Sequence, residues 1–205
     1  VGWGLNTGYS GTWLGQATPP DGNDFIAIAA GNTHSLALRR DGSIVGWGGN
    51  TTGPLVWVGQ ATPPDGNDFI AIAAGDSHSL ALKKDGSIAG WGWNGCGQAR
   101  PPTGNDFVAI AAGCSHSLAL KKDGSIVAWG DNISGRAMPP DGNDFIAIAA
   151  GWAHSLALKK DGSIVGWGFN KYGQATPPDG NDFTAIAAGS SYSLALKKNG
   201  SMVGW

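Results

Sequence analysis

Along most of the chain, apolar positions follow the period of strands rather than of helices. The stretch "DFIAIAAG" (24–31) is a nearly continuous apolar run ending in Gly, and such a run predicts a strand buried on both faces. "HSLALRR" (34–40) alternates, with Leu36 and Leu38 on one side and Ser35 and Ala37 on the other, and predicts a second strand. The following "DG" suits a tight hairpin that tolerates positive φ, and "SIVGWG" (43–48) returns as a third strand. "GQATPPDGND" (15–24) carries Pro and Gly where a strand interior would not, so it reads as an irregular crossover. No segment keeps a 3.6-residue period long enough for a helix.

This sentence is written five times. After "AIAAGNTHSLALRRDGSIVGWG" (27–48) come "AIAAGDSHSLALKKDGSIAGWG", "AIAAGCSHSLALKKDGSIVAWG", "AIAAGWAHSLALKKDGSIVGWG" and "AIAAGSSYSLALKKNGSMVGW". The recurring Phe falls at Phe25, Phe69, Phe107, Phe145 and Phe183, in steps of 44, 38, 38 and 38. Repeats of this size cannot bury their own faces and must stack on their neighbours. Each unit therefore reads as a three-stranded antiparallel meander. The prediction is an all-β propeller of five short repeats, as a ring or as part of a larger or open array. The small residues Ala29, Ala30 and Gly31 at the end of the first strand suit a crowded centre. The whole chain, 1–205, reads as one repeat domain, with units centred on 25–48, 69–92, 107–130, 145–168 and 183–205 and a partial unit at 1–4. Six "VGW"-type strands stand against five of each other type, and the chain opens without Met in the middle of a motif, so it reads as a fragment or a processed piece.

Composition narrows the function. Thirty-five Gly without a Gly-X-Y period exclude collagen, and ten Trp with 41% apolar residues argue against disorder. The 13 basic residues balance 15 acidic ones, all Asp, at a net charge of −2. Ten of the basic residues are the paired "RR" or "KK" beside the turns, with Asp residues of the same face to neutralise them, so no nucleic-acid partner is expected. No apolar run is long enough for membrane insertion.

The pattern "AGxxHSLALKxDGxIxxWGxNxxGQ" resembles the repeat of the regulator of chromosome condensation family. Its members with long repeats form seven-bladed propellers, and the founding member is a nucleotide-exchange factor for a small GTPase. The short repeats here are more similar to the bacterial branch typified by the second β-lactamase inhibitory protein, a secreted propeller with three-stranded blades that binds its target through loops on one face. The resemblance implies a propeller used as a binding platform, secreted or at the cell surface. This chain has five repeats rather than seven and no inserted wedge of the kind an exchange factor could use on a GTPase.

Where near-identical repeats differ, packing leaves the residue free. Two places differ. One is the pair before "HSLAL": Asn32-Thr33, Asp76-Ser77, Cys114-Ser115, Trp152-Ala153 and Ser190-Ser191. The other follows "WG": Gly49, Trp93, Asp131 and Phe169, then Tyr9, Trp13, Trp57, Cys96, Ile133 and Tyr172 further along. Strand direction puts both sets at one end of the propeller, opposite the constant "KKDGS" turns and "PPDGND" crossovers. Drift would leave small polar residues, whereas Trp and Tyr dominate interface energetics. Tyr9, Trp13, Trp57, Asp76, Trp93, Asp131, Trp152, Phe169 and Tyr172 are therefore the candidate binding residues for a protein partner. A glycan-binding or surface-matrix propeller would use the same aromatic faces, although a lectin should repeat its pocket from blade to blade. A third reading is self-association through the strand edges at the two ends.

No enzymatic centre or cofactor site is expected. His34, His78, His116 and His154 recur with Tyr192 at the fifth place, but no Cys or carboxylate recurs beside them at a ligand spacing. They read as structural side chains bonding the loop backbone of a neighbouring blade. In each "HS" pair the side chains diverge to opposite faces, so the two are no nucleophile and base. "DGND" lacks the other acidic positions of a calcium loop. Cys96 and Cys114 fall on the same rim, as a disulfide that would signal an oxidising compartment or as two free thiols.

Overall fold

The computed structural model describes residues 1–8, 11–52 and 56–205. Five three-stranded antiparallel sheets follow one another along the chain. Blade 1 holds β1 (Phe25–Ala30), β2 (His34–Arg39) and β3 (Ile44–Gly48), and is followed by a small hairpin of β4 (Thr51–Thr52) and β5 (Val56–Trp57). Blade 2 holds β6 (Phe69–Ala74), β7 (His78–Lys83) and β8 (Ile88–Gly92). Blade 3 holds β9 (Phe107–Ala112), β10 (His116–Lys121) and β11 (Ile126–Gly130), and blade 4 holds β12 (Phe145–Ala150), β13 (His154–Lys159) and β14 (Ile164–Gly168). Blade 5 ends the array with β15 (Phe183–Ala188), β16 (Ser193–Lys197) and β17 (Met202–Gly204). A single 3-10 turn, Ile133–Gly135, is the helical content of the described residues, and no helix among them is long and apolar enough to cross a membrane.

The turns explain the hairpins. The Gly42 N–H donates to the Arg39 carbonyl at 3.0 Å with Gly42 at φ 89°, a conformation that favours glycine. The Asp41 carboxylate accepts from both the amide (2.8 Å) and the hydroxyl (2.7 Å) of Ser43. The basic residue ahead of the turn is anchored too: Lys83 lies 3.2 Å from the Asp68 carboxylate and 5.4 Å over the Phe69 ring, and Arg39, Lys121, Lys159 and Lys197 repeat the arrangement.

Blades stack because their two faces differ. Leu36, Leu38 and Ile44 of blade 1 meet Phe69, Ile72, Ala81 and Trp91 of blade 2, and the same Leu-to-Ala fit recurs down the array. Large aliphatic side chains on one face fill the space left by alanines on the next, the condition for close packing. The continuous apolar character of "DFIAIAAG" does not bury that strand on both faces. Ile26, Ile70, Val108 and Ile146 are about half exposed. Each first strand is an edge of its sheet, and its register slips between Phe and the second residue beyond it, which turns the intervening side chain out of the ladder.

Candidate functional site

A variable rim stands over a constant column of buried polar groups. In the column, the His34 ring reaches across to the next blade, with Nε2 2.8 Å from the Ser79 hydroxyl. His78 meets Ser117, His116 meets Ser155 and His154 meets Ser193, each at 2.9 Å. Each of these serines donates in turn to the main-chain carbonyl of the preceding loop, as Ser79 does to Gln60 and Ser117 to Gln98, both at 2.9 Å. A hydroxyl that donates there can only accept from the imidazole, so Nε2 carries the hydrogen and Nδ1 is bare. Trp91 and Trp129 donate their indole N–H groups to the same two carbonyls. The expected contact of histidine with a neighbour's loop backbone is thus made through a serine. The "HS" side chains diverge as expected, and that divergence lets each histidine find the serine of the following repeat.

Burial pushes the pKa of His34 and His116 down to about 4 and that of His78 to about 3, with the neighbouring imidazoles adding to the effect at His78 and Arg136 at His116; His154 shifts the same way. The Nδ1 atoms of all four rings are buried without a hydrogen-bond partner among the described residues. Each ring is committed through Nε2 to a serine of the next blade. No group of three or more His, Cys or Asp side chains among the described residues is arranged to hold a metal.

Directly above the column, the two variable sets are joined. The Trp93 amide donates to the Ser77 carbonyl at 2.7 Å, Asp131 to Ser115 at 2.8 Å, Phe169 to Ala153 at 2.9 Å and Gly49 to Thr33 at 2.7 Å. At the other end of the sheets, the Lys84 amide bonds the Asp68 carbonyl of the crossover. The ends of the first strands surround a shallow depression of about 380 Å³, with Asn32, Asp76, Cys114, Trp152 and Ser190 at its mouth. Glycine is required there by space: a Cβ on Gly31 would collide with the His34 ring and with the Gly75 carbonyl of the next blade.

Trp93, Trp152 and Tyr172 are exposed and Phe169 is half-buried. Phe169 and Tyr172 sit edge to face at 6.3 Å, with the Lys171 ammonium 5.5 Å over the tyrosine ring. The two longer spacers fold back as short β pairings, Thr7 with Trp13 and Thr51 with Trp57, and both tryptophans are about two-thirds exposed. Tyr9 lies outside the described residues. The two acidic candidates are occupied within the chain. Asp76 accepts from the Asn32 side chain and the Ser77 hydroxyl, both at 2.9 Å. Asp131 pairs with Arg136 at 3.5 Å and accepts the Ile133 amide at 2.8 Å. Repeat comparison could have found Arg136, because it stands where the other units have Gln16, Gln60, Gln98 and Gln174. Cys96 and Cys114 are free thiols, and burial pushes the Cys114 thiol up.

The family comparison fits this architecture. Residues 25–53, 69–98, 107–136 and 145–174, together more than half the chain, match the regulator of chromosome condensation (RCC1) repeat, and the chain belongs to that repeat family. Among solved structures it is similar to Prp20p from Saccharomyces cerevisiae, a structure reported with its binding properties to Gsp1p and histones, at 22% identity and a TM-score of 0.73 over 88% of this chain and 57% of that one. The same yeast protein bound to Kap60 aligns at 23% identity and a TM-score of 0.75, over 88% of this chain and 56% of that one. The ectodomain of the receptor kinase CR4 from Physcomitrella patens aligns at 24% identity and a TM-score of 0.69, over 88% and 50%. The chain thus spans about half to three-fifths of the length of these propellers. No curated protein matches it.

Proposed function

We propose that this chain is a non-enzymatic protein-binding platform, whose partner docks on the aromatic rim formed by Trp13, Trp57, Trp93, Trp152, Phe169 and Tyr172. The observation that carries the reading is the pairing of the two variable sets: the amides of Trp93 and Phe169 bond the carbonyls just before the constant histidines, at 2.7 and 2.9 Å. The unlike residues directly after each "WG" are thereby held on a like support. Exposed aromatic side chains on a rigid base lose little conformational freedom when a partner covers them. The yeast relative of the same fold binds proteins, which supports a protein as the partner class here. The rim differs from blade to blade, so one large asymmetric partner suits it better than a repeated glycan. The similarity to the short-repeat bacterial branch adds a secreted or cell-surface setting to this reading.

Affinity capture with the purified chain tests it. The variant Trp93→Ala/Trp152→Ala/Phe169→Ala/Tyr172→Ala loses a protein that the parent retains, while Lys84→Ala/Lys122→Ala/Lys160→Ala, on the turn face, keeps it. Equal capture by the rim variant and the parent removes the basis of the proposal.

A further inference from the structure

The depression at the rim end of the sheets is walled by the loops that follow the first strands, and main chain ties those loops to one another. The Asp76 amide donates to the Gly113 carbonyl of blade 3 at 3.2 Å, and the Cys114 amide donates to the Trp152 carbonyl of blade 4 at 3.3 Å. Asp76, Cys114 and Trp152 belong to blades 2, 3 and 4, each flanked by a blade on both sides, so this stretch of wall is set within the chain. Glycine backs it closely. A Cβ on Gly113 would collide with the His116 ring and with the Gly151 carbonyl of the next blade.

Among the described residues that line the depression, Asp76 alone carries a charge. Its two hydrogen-bond donors are neutral: Oδ1 accepts from the Asn32 side-chain amide and Oδ2 from the Ser77 hydroxyl, both at 2.9 Å. None of the ion pairs among the described residues involves it. The anion acts on its surroundings. Burial pushes the Cys114 thiol up, and Asp76, the strongest of the charges around that thiol, pushes it the same way, while Arg136 and Asp131 oppose each other.

Two features decide which cation suits this anion. A carboxylate offers about four lone-pair sites. With one donor already on each oxygen, Asp76 keeps an open acceptor on both. A guanidinium presents paired N–H groups to such a pair of acceptors, whereas an ammonium meets it as a point charge. The second feature is Trp152, about half exposed on the same wall. A planar cation stacks on an indole face, which again favours arginine over lysine.

We infer that the depression receives an arginine side chain of the protein partner, its guanidinium paired with the Asp76 carboxylate and stacked against the Trp152 ring. The inference rests on the protein-binding reading of the rim and adds to it the chemistry of one anchor. Asn32 and Ser77 hold the carboxylate in place for that contact. Cys114 lines the same depression, on the blade between the two, so its thiol reports on what enters.

Charge-selective labelling of the two free thiols of the purified chain tests this. The Cys114 thiolate attacks the thiosulfonate sulfur of 2-(trimethylammonium)ethyl methanethiosulfonate, a cation, or of its 2-sulfonatoethyl counterpart, an anion. A mixed disulfide forms and methanesulfinate leaves. Peptide mass spectrometry gives the cation-to-anion rate ratio at Cys114, and the exposed Cys96 gives the same ratio for intrinsic reactivity. Both reagents meet the same thiolate, so the ratio cancels its ionisation. At low ionic strength the Cys114 ratio exceeds that of Cys96 by roughly fivefold or more, and Asp76→Asn brings the two together. N-acetylargininamide, the probe of a partner's arginine, slows labelling of Cys114 by neutral methyl methanethiosulfonate and spares Cys96. Its citrulline counterpart does not, and Trp152→Ala weakens the protection, with circular dichroism verifying the fold of each variant. A Cys114 ratio no higher than that of Cys96, a ratio that survives Asp76→Asn, or equal protection by the two amides overturns the inference. Protection unchanged in Trp152→Ala overturns the stacking on the indole. Capture of a partner by the rim aromatics is read separately, so failure here and failure of the binding platform are distinguishable.

Discussion

The buried column and the rim above it are one residue apart in sequence, yet they behave as opposites. His154 repeats His34, His78 and His116 in identity and partner, within 0.1 Å of the same distance to a serine. Two residues earlier, Asn32, Asp76, Cys114, Trp152 and Ser190 share nothing but their place at the mouth of the depression. A column residue must satisfy two blades at once, and any change leaves a buried group unpaired. A rim residue is held by its backbone amide or carbonyl, which every residue type present there can supply, so its side chain is free. The rim side chains after "WG" vary at positions whose shared support is a main-chain hydrogen bond.

Acid should break the column most severely. The folded-state pKa values of the four histidines lie below the ordinary 6.5, so the unfolded chain binds more protons. For His34, His78 and His116 the stability is fully present above about pH 6.5 and falls as pH drops toward about 4, approaching about 1.4 kcal/mol per ring per pH unit, and His154 acts in the same direction. Denaturant midpoints should stay nearly level from pH 7.5 to 6.5 and fall from there to pH 4.5, and a profile flat throughout would contradict neutral buried rings. Next comes the packed face beside the column: Leu118→Ala, at a fully buried site, should cost about 2–5 kcal/mol in urea unfolding. Ser117→Ala should cost about 1–3 kcal/mol, because it strands the His78 N–H and removes one of two donors from the Gln98 carbonyl. Smallest for stability, Trp152→Ala on the rim should stay within about 0.5 kcal/mol of the parent. A loss there as large as that of Ser117→Ala would erase the distinction between rim and column.

Much of the scaffold was legible because it is local. The Phe25-to-Phe183 spacing, the alternation of "HSLAL" and the Asp-Gly turns each specify their structure within a few residues, and the blades follow. The opposite faces taken by the His34 and Ser35 side chains were legible too. What lay beyond the sequence was the contact between His34 and Ser79, 45 residues apart, which exists only once blades stack. Ile26 misled because its apolar neighbours hide a register slip that no composition reveals. Asp76 and Asp131 looked free for a partner, and their engagement with Asn32 and Arg136 depends on loop geometry. The six extra residues of each long spacer were visible as insertions, but the pairing of Thr51 with Trp57 was not.

The most direct test of the division between column and rim is the affinity of the captured partner for three proteins: the parent, the rim variant lacking Trp93, Trp152, Phe169 and Tyr172, and the turn-face variant lacking Lys84, Lys122 and Lys160. Losing several aromatic anchors should weaken binding by roughly tenfold or more, with the melting temperature nearly unchanged and the turn-face variant equal to the parent. An unweakened rim variant, or a turn-face variant that fails to bind, would place the function on the constant side of the molecule and contradict the account.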